Sequence, residues 1–260
     1  MKSSQPDAMQ GRGTAIVVQA RMGSTRLPGK VLLPVAGRPL LSYQLERLRD
    51  SRRAAGLLVA TSTLTADDPI AALCGREGVG CVRGPEQDVL RRYAMASAAA
   101  GTGAIARVTG DCPLLDPELV DEAIAAIEDR SGRPDFVSNM LEPRWPLGMA
   151  VEVATTAALL EADREATDPD EREHVMPFIW RRPQRYRLVS LTSSPDLSHH
   201  RWTVDTPEDF ELVSRILAEL YPRCPRFRMP DVLSLLERNP SWSRINRHVP
   251  QKTIAARGMK

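Results

Sequence analysis

The chain has 260 residues, of which 42% are hydrophobic and 26% are charged, and its formal net charge is +2. This length and composition fit one large α/β domain, and so small a net charge disfavours a nucleic-acid partner, which needs a clustered basic stripe. No segment approaches the roughly 20 apolar residues that span a bilayer. The cysteines lack CxxC or zinc-like spacing, so we expect a soluble protein of the reducing cytoplasm.

In chain order, a polar segment at 1–13 has no apolar core of a signal peptide and is expected to be a disordered lead-in. Strands and helices then alternate, because short β-branched or apolar runs predict buried strands and amphipathic spacing predicts helices. The predicted strands are 14–19, 57–60, 79–82 and 104–109, and the predicted helices are 39–52, 69–77, 86–100 and 117–129. This alternation predicts an α/β fold of three layers, with a mostly parallel sheet between helices.

The second half of the chain is less regular. Its predicted strands are 136–138, 150–153, 187–191 and 202–204, and its predicted helices are 155–165, 171–181, 207–220 and 231–238. We expect a single domain at 14–250, followed by a loose polar tail at 251–260.

A loop of small, hydroxyl and cationic residues at 19–30 directly follows the first predicted strand. Gly23 lets the backbone approach a ligand closely, and Ser24 and the backbone N–H groups can cradle phosphate oxygens. The cations of the loop are Arg21, Arg26 and Lys30. An anion placed among them would relieve their mutual repulsion. The loop matches neither the P-loop nor the dinucleotide fingerprint, and a solvated basic loop is the alternative interpretation.

Two aspartates far apart in sequence each follow a predicted strand. Asp111 stands in the run GDCP, and Asp205 precedes a helix that begins at Pro207. Because ligands of such sheets bind beyond the carboxyl ends of the strands, both carboxylates can meet at one edge. With triphosphate oxygens and waters they would form an octahedral Mg²⁺ site. The alternatives are that Asp205 caps the helix and that Asp111 closes a turn before Pro113.

These motifs together resemble a known family. Arg21–Lys30 (RMGSTRLPGK), Gly110–Pro113 (GDCP) and Asp205–Asp209 (DTPED) resemble the spore-coat polysaccharide biosynthesis protein F family of cytidylyltransferases. Their order and spacing are also similar to those of the 3-deoxy-manno-octulosonate and acylneuraminate cytidylyltransferases. In the octulosonate enzymes the first two loops read AR..STRLPGK and GDEP. The resemblance covers about 16–220, and Cys112, where the octulosonate enzymes have an acidic residue, is typical of the spore-coat group.

The resemblance implies a glycosyltransferase-A-like nucleotidyltransferase fold and a Mg²⁺-dependent transfer of CMP from CTP to a sugar acid or a related hydroxyl or phosphate acceptor, with release of pyrophosphate. It implies that Asp111 and Asp205 bind Mg²⁺ and that Arg21 and Lys30 complete the catalytic set. The expected nucleotide-binding residues are Gln19, Ala20, Arg21, Gly23, Ser24, Arg26, Lys30, Thr61, Gly84, Asp88, Val89, Thr109 and Gly110. Within 14–250 we expect a nucleotide-binding half (14–134), a part for acceptor binding and dimerisation (135–200) and a closing segment (201–250).

The run EREH at 171–174 also resembles a signature of the spore-coat family. It is expected to bind the acceptor or to form a homodimer contact, although acidic residues at a helix start are also ordinary partners of the helix dipole. The expected acceptor-binding residues are Asn139, Glu152, Glu171, Arg172, His174 and Arg201, with Arg144 and Gly148 as further candidates. The expected partners are therefore CTP, a small-molecule acceptor and a second copy of the chain, with neither nucleic acid nor membrane.

Two other functions remain open from the sequence. A glycosyltransferase of related architecture would consume a nucleotide sugar, but such enzymes usually carry a DxD-like motif where this chain has Gly110-Asp111-Cys112. A non-catalytic nucleotide-binding protein is the second alternative, and the joint presence of Lys30, Asp111 and Asp205 weighs against it. The residues themselves do not identify the base or the acceptor, so CTP depends on the resemblance.

Overall fold

The structure is a computed structural model that describes residues 11–129 and 131–251. Most of the lead-in expected at 1–13 and of the tail expected at 251–260 therefore lies outside the described residues. The strands are β1 Thr14–Gln19, β2 Pro34–Val35, β3 Arg38–Pro39, β4 Ala54–Ser62, β5 Gly80–Gly84, β6 Ala104–Thr109, β7 Phe136–Ser138, β8 Glu152–Thr155 and β9 Leu188–Ser190. The α-helices are α1 Leu40–Leu48, α2 Asp68–Glu77, α3 Val89–Ala100, α4 Pro117–Ile127, α5 Thr156–Glu165, α6 Pro169–His174, α7 Pro177–Trp180, α8 Pro207–Leu220 and α9 Met229–Arg238.

Seven strands form one sheet in the order β5-β4-β1-β6-β8-β7-β9, and β2 pairs with β3 in a separate hairpin. Strands β5, β4, β1 and β6 are parallel, whereas β8 is antiparallel to both of its neighbours. Gln19 at the end of β1 lies opposite Ala60 of β4 and Thr109 of β6. The loops that follow these three strands therefore leave the sheet side by side, and the predicted mostly parallel sheet is confirmed.

Helices cover both faces of the sheet and make two hydrophobic cores. Alternate residues of β1 point to opposite faces, so that Ile16 and Val18 enter one core while Ala15 and Val17 enter the other. Helices α1, α2, α4, α8 and α9 pack on the first face, and α3, α5 and α7 pack on the second. Each fully buried Val or Ile of this central strand stabilises the fold by about 1.5–3 kcal/mol. The predicted three layers are thus confirmed.

The prediction of one helix over 171–181 is wrong, because the segment forms two short helices, α6 and α7. Val175 between them has φ 73°, which a β-branched residue rarely adopts. The Met176 N–H donates to the carbonyl of His174 at 2.9 Å across this residue. Pro177 then begins α7, since its ring has no N–H to continue α6. The strand predicted at 202–204 is also wrong, since these residues form no strand and only the preceding residue, Arg201, makes an isolated bridge to Leu147.

Among the described residues, no helix has both the length and the apolar character needed to cross a membrane. The division of 14–250 into functional parts stays a prediction.

Candidate active site

The loop after β1 closes on one residue, Met22. Its carbonyl accepts the N–H groups of Ser24 at 2.9 Å and Gly29 at 3.0 Å, which folds the loop back on itself. Gly29 has φ 68°, a left-handed conformation that glycine adopts without steric cost. Lys30 follows at the start of a short 3₁₀ turn, and buried Val31 anchors this turn in the core. Internal hydrogen bonds and buried Val31 therefore hold the loop to the core, while Arg21 and Arg26 stay exposed.

Several backbone donors of the loop have no protein partner. In the described part of the chain, the N–H groups of Arg21, Gly23, Thr25 and Arg26 donate to no acceptor. They border a cavity of about 270 Å³ at the carboxyl edge of the sheet. The cavity is lined by Gln19, Ala20, Arg21, Gly23, Ser24, Thr25, Arg26, Lys30, Val31, Thr109, Gly110, Asp111 and Asp205. Unpaired N–H groups beside cationic side chains form the kind of concavity that binds phosphate oxygens.

Asp111 and Asp205 meet at Lys30. The ammonium of Lys30 donates to Oδ2 of Asp111 at 2.6 Å and to Oδ1 of Asp205 at 2.7 Å. The two aspartate segments are also joined directly, because the Val204 N–H donates to the carbonyl of Asp111 at 2.8 Å. Gly110 permits this arrangement, since a Cβ there would lie 3.0 Å from the carbonyl oxygen of Gln19. The expectation that both carboxylates reach one edge agrees with the geometry.

Asp205 does not cap the helix that follows it, α8, although its sequence position allowed that alternative. Thr206 is the N-cap of α8, and its hydroxyl and the carboxylate of Asp209 make a reciprocal capping box. Asp205 is therefore left to face the cavity. Its Oδ2 accepts from Arg26 at 2.9 Å and from Arg201 at 3.0 Å. Arg201 is in turn fixed by both oxygens of Asp209, each at 2.8 Å.

The charges of this cluster are mutually stabilised. Burial alone would raise the pKa of Asp205, but the hydrogen bond from Lys30 and the charges of Lys30, Arg26 and Arg201 together lower it below its ordinary value. Burial alone would lower the pKa of Lys30, but Asp111 and Asp205 outweigh it and raise that pKa. Both side chains are thus ionised at neutral pH. By contrast, burial raises the pKa of the Cys112 thiol far above its usual range, so this thiol stays protonated.

Not all expected nucleotide-binding residues line the cavity. Four of them are absent from its lining and lie at the ends of β4 and β5 and at the start of α3: Thr61, Gly84, Asp88 and Val89. Thr61 is fully buried, and its hydroxyl has no hydrogen-bond partner in the described ranges. Asp88 caps α3 by accepting from the Arg91 N–H at 2.9 Å. The nucleoside roles of these four residues stay predictions.

The expected acceptor-binding residues are mostly bonded within the chain. The amide of buried Asn139 donates to the carbonyl of Met149 at 2.7 Å and accepts from the Val151 N–H at 2.9 Å. Glu152 pairs with Arg107, which also donates to the side chain of Gln19 at 3.4 Å. Glu152 is therefore linked through Arg107 to Gln19, which lines the cavity.

The EREH segment of α6 packs on α3 and does not line the cavity. Arg172 donates to both oxygens of Asp88, at 3.0 and 2.6 Å, and to Asp163 at 2.9 Å. Buried Glu171 accepts from Arg182 at 2.7 Å, and His174 is half-buried at the end of the helix. None of the six expected acceptor residues lines the cavity of the loop, and their role in acceptor binding stays a prediction.

Two residues that touch the site were missed by sequence reasoning. Asp67 accepts from the N–H of Met22 at 2.7 Å, but an aspartate before a helix has a generic explanation in the helix dipole. Arg107 stands in the middle of an apolar strand, and this charged residue inside a buried run was the signal that could have identified it.

A second cavity, of about 650 Å³, lies between 198–202 and the segment 240–251, with one residue each from α8 and α9. It shares only Arg201 with the expected site residues, and no described carboxylate lines it. The smaller cavity is therefore the candidate active site, because the residues with unpaired N–H groups and both aspartates line it.

Known proteins are similar to this chain over most of its length. A model of the family described as cytidylyltransferase matches residues 15–223. The spore coat polysaccharide biosynthesis protein SpsF of Bacillus subtilis (strain 168) is 35% identical over 86% of this chain and 94% of that protein. A cytidylyltransferase from Leptospira borgpetersenii is 30% identical, with a TM-score of 0.85 over 93% of this chain and all of that one.

A more distant solved structure is CMP:2-keto-3-deoxy-manno-octonic acid synthetase complexed with CTP. It is 18% identical, with a TM-score of 0.60, and covers 80% of this chain and 99% of that one. At this identity the likeness concerns the fold alone. Together with the closer relatives, it confirms the nucleotidyltransferase fold that the sequence motifs implied.

Proposed function

The chain belongs to the cytidylyltransferase family and is a nucleotidyltransferase, and on this premise we propose that it transfers CMP from CTP to a sugar acid or a related hydroxyl or phosphate acceptor. Pyrophosphate is the second product, and Mg²⁺ is the proposed metal. CTP as donor is supported by the match to the family described as cytidylyltransferase. A sugar-related acceptor is supported by the name of the 35% identical polysaccharide biosynthesis protein, and an acidic or phosphorylated one by the cationic side chains that line the cavity.

One observation carries the proposal most directly. Carboxylates from two separate loops meet at Lys30, on the edge of a cavity that also presents unpaired backbone N–H groups. The two carboxylate oxygens lie within 2.7 Å of one atom, so a single cation can contact both. Carboxylate oxygen is the donor that Mg²⁺ prefers. In the described ranges no group of three or more His, Cys, Asp or Glu side chains is placed to bind a metal, so the remaining ligands have to come from phosphates and water.

In the proposed mechanism the protein positions the triphosphate and neutralises its charge. The N–H groups of the loop, with Arg21 and Arg26, bind phosphate oxygens, and Lys30 stabilises the charge that develops on the departing pyrophosphate. Asp111 and Asp205 would hold the divalent cation, which polarises the α-phosphate when bound. The acceptor oxygen attacks the α-phosphorus in line, and the bond to the β-phosphate oxygen breaks. Positioning of the two reactants supplies much of the rate, and no covalent intermediate on the protein is needed.

Thermal unfolding with each of CTP, UTP, ATP and GTP, with and without Mg²⁺, tests the donor. A ligand at about 100 times its dissociation constant stabilises by roughly 2.7 kcal/mol, which for a chain of this size raises Tm by about 5 °C or more. We expect a clear rise with CTP that Mg²⁺ strengthens, and pyrophosphate release when a sugar-acid acceptor is added. A rise with another nucleotide alone would contradict CTP, and no rise with any of the four would contradict the proposed activity.

A further inference from the structure

Asp67 lies outside the cavity but is bonded to the loop that forms it. It ends a 3₁₀ turn, Thr65–Asp67, and is only 3% exposed. Its Oδ1 accepts from the N–H of Met22 at 2.7 Å, and its Oδ2 accepts from the N–H of Ser62 at 3.2 Å and from the Ser62 hydroxyl. One buried carboxylate thus ties the loop after β1 to the end of β4.

The bond to Met22 lies between two of the unpaired N–H groups of the loop. The Met22 carbonyl is already fixed by Ser24 and Gly29, so Asp67 fixes the other polar group of the residue on which the loop closes. The unpaired N–H groups of Arg21 and Gly23 lie on either side of Met22. We infer that Asp67 is a positioning residue for the triphosphate of the nucleotide, an inference that rests on the proposed function.

A carboxylate is required at this position because all three of its partners are donors. An asparagine has nearly the same shape, but its amide N–H₂ would face the N–H of either Met22 or Ser62. Asp67→Asn therefore keeps the volume of the side chain while it releases one side of the tie. Loss of a charge-assisted hydrogen bond and a shift of the loop are expected to weaken triphosphate binding about tenfold.

The test compares Asp67→Asn with Asp116→Asn in titration calorimetry. Asp116 is also buried, and it accepts from the Met229 N–H at 2.7 Å and caps α4, away from the loop. Asp67→Asn should weaken CTP and inorganic tripolyphosphate about tenfold and CMP much less, whereas Asp116→Asn should lower Tm without changing any of these affinities. If Asp67→Asn does not fold, Ser62→Ala removes one donor behind the carboxylate and should weaken CTP binding in the same direction.

Unchanged CTP affinity in folded Asp67→Asn would overturn the positioning role. Equal weakening of CTP and CMP would also overturn it, since the effect would then not concern the β- and γ-phosphates. If the wild-type chain binds neither CTP nor tripolyphosphate, the proposed function itself is wrong.

A second inference concerns Lys30, whose ammonium lies where the two aspartates meet. A cation bound by both carboxylates would lie at or close to the position of this Nζ atom. The surrounding charges already balance, because Asp111, Asp205 and Asp209 face Lys30, Arg26 and Arg201. A divalent cation that enters alone would meet three cationic side chains at Asp205, those of Lys30, Arg26 and Arg201. In the described ranges only two carboxylates, those of Asp111 and Asp205, are placed to bind it.

A triphosphate changes this balance. It brings oxygen ligands for the metal and enough negative charge to attract Lys30, which is on the same loop as the unpaired N–H groups. We propose that Lys30 holds the two aspartates in the place of a divalent cation and moves to the phosphates when the nucleotide enters, so that metal and CTP bind as a pair. This also rests on the proposed function.

Manganese alone is the probe for this exchange, with its free concentration measured by electron paramagnetic resonance. Lys30→Met should bind Mn²⁺ about tenfold more tightly than the wild-type chain, because a like charge is removed from the site. Arg21→Met is the matched control, because Arg21 is a cation of the same loop but forms no ion pair with Asp111 or Asp205. This variant should leave the affinity for Mn²⁺ within twofold of the wild-type value.

Coupling between metal and nucleotide gives the second measurement. Mn²⁺ should tighten CTP binding to the wild-type chain about tenfold, and this coupling should shrink in Lys30→Met. If Lys30→Met binds Mn²⁺ no more tightly than the wild-type chain, the exchange is wrong even when CTP binding is intact. If the wild-type chain binds no CTP with or without Mn²⁺, the proposed function fails first. Lys30→Gln gives the same comparison if the methionine variant does not fold.

Discussion

The loop after β1 and the EREH segment of α6 contain similar residues but use them in opposite ways. In the loop, Arg21 and four backbone N–H groups border a cavity, and the ion pairs of Lys30 lie on the wall of that cavity. In α6, Arg172 is bonded to two aspartates, and Glu171 is buried against Arg182. The backbone donors of the loop are therefore free to contact a ligand, whereas the charged groups of Arg172 and Glu171 are already bonded within the chain.

The largest expected effect tests the loop side of this comparison. Asp111→Asn should lower CTP-dependent pyrophosphate release about 10³-fold, because several kcal/mol of charge stabilisation depend on the metal that this carboxylate would hold. Tm should change by only a few degrees, since the Asp111 side chain lies at the cavity wall. The measurement is steady-state turnover together with thermal unfolding.

The control is Asp121→Asn, which should retain wild-type turnover. The carboxylate of Asp121 accepts the backbone N–H groups of Arg52 and Arg53, and it does not line the cavity. Near-wild-type turnover in Asp111→Asn would remove this residue from the metal role.

The EREH side of the comparison predicts a stability effect instead. Arg172→Met should lower the free energy of unfolding by about 2 kcal/mol, because Asp163 and Asp88 each lose a charged partner. CTP affinity should stay within about threefold of the wild-type value, since Arg172 does not line the cavity. Denaturant unfolding and CTP titration measure the two effects.

Arg91→Met is the matched control for Arg172→Met, because Arg91 pairs with the same Asp163 but its side chain is 55% exposed. It should cost less than about 0.5 kcal/mol, as exposed pairs do. Acceptor-dependent turnover that falls in Arg172→Met while stability is unchanged would instead support acceptor binding by EREH and would contradict the contrast between the two regions.

The smallest expected effect is on the pH dependence of stability and comes from the half-buried His200. Burial and the neighbouring His199 lower the pKa of His200 to about 4, below the usual value of a free histidine. The unfolded chain therefore binds more protons than the folded chain as the pH falls from about 6.5 to 4, and the fold loses stability over this range. His200→Gln should flatten this part of the curve of unfolding free energy against pH. An equal slope in wild type and His200→Gln would contradict the assignment.

The sequence alone determined the sheet and the composition of the site. β-branched runs predict the strands that form the centre of the fold, and the rule that ligands bind beyond the carboxyl ends of parallel strands predicts that Asp111 and Asp205 can meet at one edge. The cationic loop was identified for the same reason, because its residue types and its place after a buried strand are local features. The resemblance of RMGSTRLPGK and GDCP to cytidylyltransferases added the family, which the comparisons bear out.

Only the tertiary structure decided which charged groups satisfy one another. The bond of Asp67 to Met22 joins residues 45 positions apart, and that of Lys30 to Asp205 joins residues 175 positions apart. No local periodicity encodes such pairs, since they depend on how the loops pack after the sheet has formed. The break of the predicted helix at Val175 has a similar origin, because packing holds its left-handed backbone against local preference. Local patterns specify elements and their order, whereas the partners of a side chain are fixed by distances that arise only when the elements pack.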